Sequence, residues 1–278
     1  MGGGTLSHNT DYLRVHGKRI RLSQWDPRST KGCTNREAAV ERTAQCMAQI
    51  DKLQYRLYGE AKRSLLIVLQ GMDTSGKDGV IRHVMSVFNP QGCNVSSFKV
   101  PTHLEASHDF LWRIQRAVPA SGEVRIFNRS HYEDVLVARV RKLVPHKVWS
   151  RRYAAINEFE RYLVEHGTTV LKLYLHISRK EQGERLLARL DDPLKRWKFS
   201  DADLAERTRW RDYQLAYGEA LERCSTKYAP WYVIPADRKW YRDWAVSEIV
   251  ALTLEKMDPQ LPEVKLNVTR LRAQLRAG

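Results

Sequence analysis

A chain of 278 residues suits one large domain or one domain with added elements, and a hydrophobic content of 42% is enough to fill a sizeable core. No apolar run approaches the roughly 20 residues of a membrane-spanning helix, and Cys33, Cys46, Cys93 and Cys224 form no CxxC pair, which argues against a disulfide framework or zinc knuckle and for a reducing cytoplasm. The excess of 47 Lys and Arg over 32 Asp and Glu, a formal +15, points to a polyanionic partner such as nucleic acid, an anionic membrane or a polymer of phosphate.

Residues 1–34 are weakly patterned and are read as an N-terminal extension; they open without a basic and apolar leader of the secretory kind. The scattered histidines, His8 and His16 among them, show no metal-ligand spacing. Residues 35–62 read as one long polar helix with Ala38, Val40, Met47, Ile50, Leu53 and Leu57 near one stripe, packing across the domain or against a partner subunit.

Residues 65–69, LLIVL, form the continuous apolar run of a strand buried on both faces. Directly after it, Gly71 to Lys77 satisfies G-x-x-x-x-G-K, and Val80, Ile81, Val84, Met85 and Phe88 then recur at helical spacing. A strand, this loop and a helix in that order form a phosphate-binding site, because glycines let successive N–H groups converge where the helix adds partial positive charge. Thr74, Ser75, Gly76, Lys77, Asp78 and Gly79 are thus the candidate phosphate-binding residues, with Lys77 reaching the phosphoryl group in flight. Asp78 stands where a Ser or Thr usually follows the lysine, and Asp73 sits inside the loop. A carboxylate beside phosphate needs a bridging cation, so Asp73 is a candidate magnesium ligand.

Further strands are expected at 95–100, 124–127, 170–177 and 231–235, with an amphipathic helix from Tyr153 to Leu163. Strand–helix alternation of this kind implies a mostly parallel sheet with helices on both sides. At the end of the 124–127 strand, Asn128, Arg129, Ser130, His131, Tyr132, Glu133 and Asp134 offer a cation and carboxylates where a parallel sheet opens onto its crevice. Ser130 and Glu133 also read as a capping box. The Arg-rich stretch 184–213, broken at Asp192-Pro193, carries Arg189 and Lys198 and reads as a mobile lid or as a salt-bridged helical hairpin. Arg113, and Lys239 and Arg242 after the last strand, are smaller signals for phosphate or nucleotide contact. Residues 261–278 read as a C-terminal tail.

The segments LLIVLQGMDTSGKDG, NRSHYEDVLVARV, LARLDDPLKRWKFSDADL and APWYVIPADRKWYRDW, in this order, resemble the family-two polyphosphate kinases from about residue 18 to residue 260. The NRSHYED form looks like the subgroup that phosphorylates both nucleoside mono- and diphosphates. The resemblance implies an α/β P-loop kinase fold, a three-layer α/β/α arrangement like that of thymidylate kinase, with residues 35–260 as a single domain and a helical lid at about 185–210. It implies polyphosphate and nucleoside mono- and diphosphates or ATP as substrates, adenine nucleotides with guanine ones as further candidates. It also implies Mg2+, for which Mn2+ can substitute, and a homo-oligomer, dimer or tetramer, without membrane or specific nucleic-acid partners. Asp73, Lys77 and Arg129 match the family's loop acid, lysine and Walker B arginine, and with Glu133 and Asp134, read from the strand end itself, they are the catalytic candidates. Asp73 and Asp134 are the metal ligands, and Arg113, Asn128, Arg129, Ser130 and Glu133 face the nucleotide. Thr74 through Gly79, the lid cations Arg189 and Lys198, and Lys239 and Arg242 after the last strand are the candidates for holding polyphosphate. Asn128 stands where a related subgroup carries Asp, which shifts metal binding towards Asp73 with Glu133 or Asp134. The rival readings are an ATP-dependent nucleotide kinase and a non-catalytic nucleic-acid-binding protein.

Overall fold

In the computed structural model, which describes residues 10–17 and 20–277, the chain builds a parallel sheet in the order β2-β3-β1-β4-β5. The strands are β1 (Ser64–Gln70), β2 (Cys93–Ser97), β3 (Val124–Asn128), β4 (Thr168–His176) and β5 (Trp231–Pro235). The helices are α1 (Arg36–Glu60), α2 (Lys77–His83), the short α3 (His103–Ala106), α4 (Trp112–Gln115) and α5 (Val137–Val140), then α6 (His146–Glu165), α7 (Arg179–Asp191), α8 (Asp201–Thr208), α9 (Trp210–Cys224), α10 (Lys239–Met257) and α11 (Val268–Ala277).

β1 is central, with Ile67 opposite Ile126 of β3 and Leu171 of β4, and every residue of it is buried. Alternation along the strand divides its side chains between two apolar layers. Leu65, Ile67 and Leu69 join Ile50 and Leu57 of α1, Val80 of α2 and Val246 and Ile249 of α10. Leu66 and Val68 join Ile156 of α6 and Tyr217 and Ala220 of α9. The result is the expected helix–sheet–helix sandwich of a P-loop kinase-like fold. The carboxyl ends of its parallel strands all open on one side, where ligands bind in such sheets.

Two expectations change in detail. The buried stripe of α1 is Ala39, Cys46, Ile50, Leu53, Gln54 and Leu57, whereas Val40 is exposed and Met47 half-buried. The reason is that α1 packs along α10, with Arg42 paired to the fully buried Glu248, so its contact face is set by a helix rather than the sheet. The N-terminal segment is also less of an appendage than its pattern suggests. Leu13, Val15 and Leu22 are buried, and the Val15 amide donates to the Trp231 carbonyl at 2.8 Å. Arg14 bridges Tyr232 in antiparallel fashion. Pairing of this kind covers the β5 edge through the backbone, and side-chain periodicity does not report it. His8 and the start of the family-like region at residue 18 lie outside the described residues. In the tail, α11 has no buried side chain.

Candidate active site

The phosphate loop leaves β1 at Gly71, where a Cβ would stand 2.5 Å from Ser75 Oγ and 2.8 Å from the Leu175 carbonyl oxygen. At Gly76, a Cβ would meet Arg242 Nη1 at 1.9 Å. Only glycine lets the chain turn back beneath one strand and lie against a buried arginine. Thr74, with φ of 63°, adopts the left-handed region that a β-branched residue strongly disfavours. Arg185 of α7 holds it there: Nη1 donates to the carbonyls of Thr74 (2.9 Å) and Ser75 (3.2 Å), and Nη2 to those of Ala236 (2.7 Å) and Asp237 (2.9 Å).

Lys77 opens α2, and its ammonium folds back to donate to Gly71 O at 2.7 Å and Met72 O at 3.2 Å. It is only 8% exposed. Burial, reinforced by the nearby Arg129 cation, pushes it down to about 8 against the pull of Asp73 and Glu133.

From the end of β3, Arg129 turns across the loop and Nη2 donates to Asp73 Oδ1 at 2.7 Å. Its own φ is 64°, a second non-glycine residue in the left-handed region at this crevice. Asn128 Nδ2 donates to Asp78 Oδ1 at 3.0 Å, and Lys198 of the 196–198 turn reaches Asp78 Oδ2 at 3.3 Å. Burial pushes the Asp78 carboxyl up, but these two hydrogen bonds and the lysine charges outweigh it and hold the group below the usual range. Glu133 stands behind this layer; burial pushes its carboxyl up, opposed by Arg129 and Lys77.

The crevice encloses about 1120 Å³. It is lined by nine Lys or Arg (77, 99, 129, 185, 189, 195, 198, 239 and 242) against Asp73, Asp78 and Asp243. Arg189 is fixed by Asp203 at 3.5 Å and by its own donation to the Lys198 carbonyl at 3.1 Å. Arg242, 2% exposed, gives Nε and Nη2 to Asp243 Oδ1 at 2.9 and 2.7 Å. The α7–α8 segment does break at Asp192-Pro193, where Asp192 is extended as the residue before proline tends to be. Its ion pairs, Arg189–Asp203 and Lys195–Asp192, are those of a salt-bridged helical hairpin, and Lys198 brings it to the loop.

Neither Glu133 nor Ser75 lines the crevice, and three further expected site residues sit elsewhere. Asp134 pairs with Arg152 of α6 at 3.0 Å and does not line the crevice; burial pushes its carboxyl up against Arg152 and Arg113. Arg113 is set back too. It donates to the Lys99 carbonyl at 2.9 Å and lies 5.5 Å from the Phe98 ring centre, so it shapes the wall that Phe98 and Lys99 present. Ser130 is buried and makes no capping box with Glu133: its hydroxyl accepts from the Tyr132 amide at 3.2 Å and from Gln70 Nε2 at 3.1 Å. The turn is a tight 3-10 helix, so the amide two residues on comes within reach first and Glu133 is left among the cations.

The contribution of α1 had no signal in the sequence. Val40, Thr43, Ala44 and Met47 form an apolar wall of the crevice, yet helical periodicity assigns Val40 and Met47 to the core. Arg185 figured there only as one arginine of many; its role depends on carbonyls far away in the chain.

Residues 33–262 match the family model described as Polyphosphate kinase 2. The chain is 52% identical over 246 residues to the AMP/ADP-polyphosphate phosphotransferase of Meiothermus ruber, covering 88% of this chain and 92% of the relative. It is 40% identical to the ADP-polyphosphate phosphotransferase of Rhodopseudomonas palustris, covering 96% and 98%. Among solved structures, polyphosphate kinase 2 from Arthrobacter aurescens TC1 superposes with a TM-score of 0.93 at 45% identity, covering 96% of each chain. With its phosphate loop, parallel sheet and cation-lined crevice, the chain belongs to the polyphosphate kinase 2 family.

Proposed function

We propose that this enzyme transfers the terminal phosphoryl group of inorganic polyphosphate to AMP and ADP, reversibly and by direct in-line displacement. An oxygen of the acceptor's terminal phosphate forms the new bond to phosphorus, and the bond to the bridging oxygen of polyphosphate breaks, leaving a polymer one unit shorter. The acceptor oxygen is already ionised at neutral pH, so no protein nucleophile or base is required. Positioning and charge stabilisation carry the rate.

The observation that carries this reading is the convergence of Lys77, Arg129, Arg185, Arg189, Lys198 and Lys239 on one phosphate loop. A crevice so dominated by cations suits a flexible polyanion, held by many charges at once. Lys77 and Arg129 spread the charge of the phosphoryl group in transfer, while Arg185 and the buried Arg242 keep the loop in shape. Asp73 at the crevice, with the neighbouring Thr74 hydroxyl that has no hydrogen-bond partner, offers hard oxygen donors suited to Mg2+, which when bound would neutralise phosphate charge. Asp134 does not line the crevice and Asp73 does, so the metal role rests on Asp73.

Turnover of the Lys77→Ala and Asp134→Asn variants with polyphosphate and ADP tests the assignment. Lys77→Ala should lower kcat about 100-fold or more, the scale of losing one preorganised charge stabiliser. Asp134→Asn should stay within about tenfold of the parent, since it leaves the crevice charges in place. Near-normal turnover by Lys77→Ala would sink the loop assignment.

A further inference from the structure

The carboxylate after the loop lysine faces the crevice from the first turn of α2. Left bare, it would repel any phosphate brought to Lys77. It is not left bare. One oxygen takes the Asn128 amide at 3.0 Å and the other takes the Lys198 ammonium at 3.3 Å, so its orientation is fixed from the strand side and its charge is met from the lid side. Lys198 lies 120 residues away in the chain, on an exposed turn whose backbone is tied down by Arg189, and its ammonium sits 5.2 Å from the centre of the Trp197 ring.

We propose that Asp78 is a positioning residue that holds Lys198 over the phosphate loop, so that the lysine bridges the loop carboxylate and the bound polyphosphate. An ammonium has three donors. One is spent on Asp78, and two remain for phosphate oxygens. The same geometry gives Asn128 a purpose: an amide donates to Asp78, whereas a carboxylate at position 128 would face it with like charge. Asp78 thereby converts a mobile surface lysine into an oriented one, which matters most for a substrate held by summed ionic contacts. This role rests on the reading that polyphosphate occupies the crevice.

A double-mutant cycle on the full-length enzyme tests it, with Asp78→Asn, Lys198→Met and the pair measured at varied polyphosphate and saturating ADP. Both side chains are partly exposed, 69% for Asp78 and 39% for Lys198, so thermal unfolding should be unchanged. Each single variant should raise KM for polyphosphate about threefold to fivefold, the span of an exposed ion pair, with kcat little altered, and the double variant should be no worse than Lys198→Met. A fall in KM for Asp78→Asn would mean that the carboxylate acts only as a repulsive charge, and multiplying single effects would mean that the residues act apart; either overturns the role. A parent enzyme that makes no ATP from ADP and polyphosphate would instead contradict the functional reading, and this role with it.

Discussion

Lys77 carries its charge at neutral pH with little to spare. Burial holds its pKa near 8 in the ligand-free enzyme, and kcat/KM reports ionisation of the free enzyme. The kcat/KM for polyphosphate should therefore fall as pH rises through about 8, whereas an ordinary lysine would hold its charge past pH 10. A bound polyanion favours the ammonium, so kcat should persist to higher pH. The sign for stability is opposite: the depressed pKa costs stability below about pH 8, and that cost fades as pH climbs towards the ordinary value. A flat kcat/KM between pH 7 and pH 9 (roughly one unit either side of that pKa) would contradict the assignment. At this scale the sequence was readable where spacing dictates geometry, as with Asp73 and Lys77 in a loop of fixed form. It was not readable at Glu133 and Asp134, neighbours in a tight turn that face different partners, the loop cations and Arg152.

Between elements, the turn after β3 is clamped by a polar cluster inside the apolar layer. Lys172 of β4 and Glu160 of α6 are fully buried and meet at 2.6 Å. The Lys172 ammonium also donates to the Tyr132 hydroxyl at 2.9 Å and to the Cys224 carbonyl at 2.6 Å. The Tyr132 hydroxyl donates to Glu160 Oε1 at 2.8 Å, and the buried His131 ring lies 3.2 Å from the same oxygen. The cluster ties Tyr132, and through it Arg129 and Glu133, to two rigid elements. Removing one partner leaves the other charge buried without its counter-charge. Lys172→Met should thus cost about 3–5 kcal/mol of unfolding free energy in denaturant titration, and Lys172→Met with Glu160→Leu clearly less. A loss below about 1 kcal/mol for the single variant would show that the pair is not desolvated as described. Elements such as β1 and α6 were legible because burial writes itself into periodicity. The N-terminal pairing to β5 and the α10-facing stripe of α1 were not, since they depend on backbone contacts and on which helix lies across.

Over the whole molecule, the +15 charge takes on meaning through its placement. Charge alone left nucleic acid, an anionic membrane and a polymer of phosphate as candidates. The sheet order decides where the basic segments go: β1, β3, β4 and β5 end on one side, and Lys77, Arg129, Arg185 and Arg242 follow those ends into one crevice. Local patterns gave the strands and loops but not this convergence, which depends on topology. The most direct test supplies long-chain polyphosphate as the only phosphate donor, with Mg2+ and either AMP or ADP, and follows the nucleotide products. ADP should form from AMP and ATP from ADP, more slowly as salt rises and screens the crevice. Product that forms only when ATP replaces polyphosphate as donor would contradict the account.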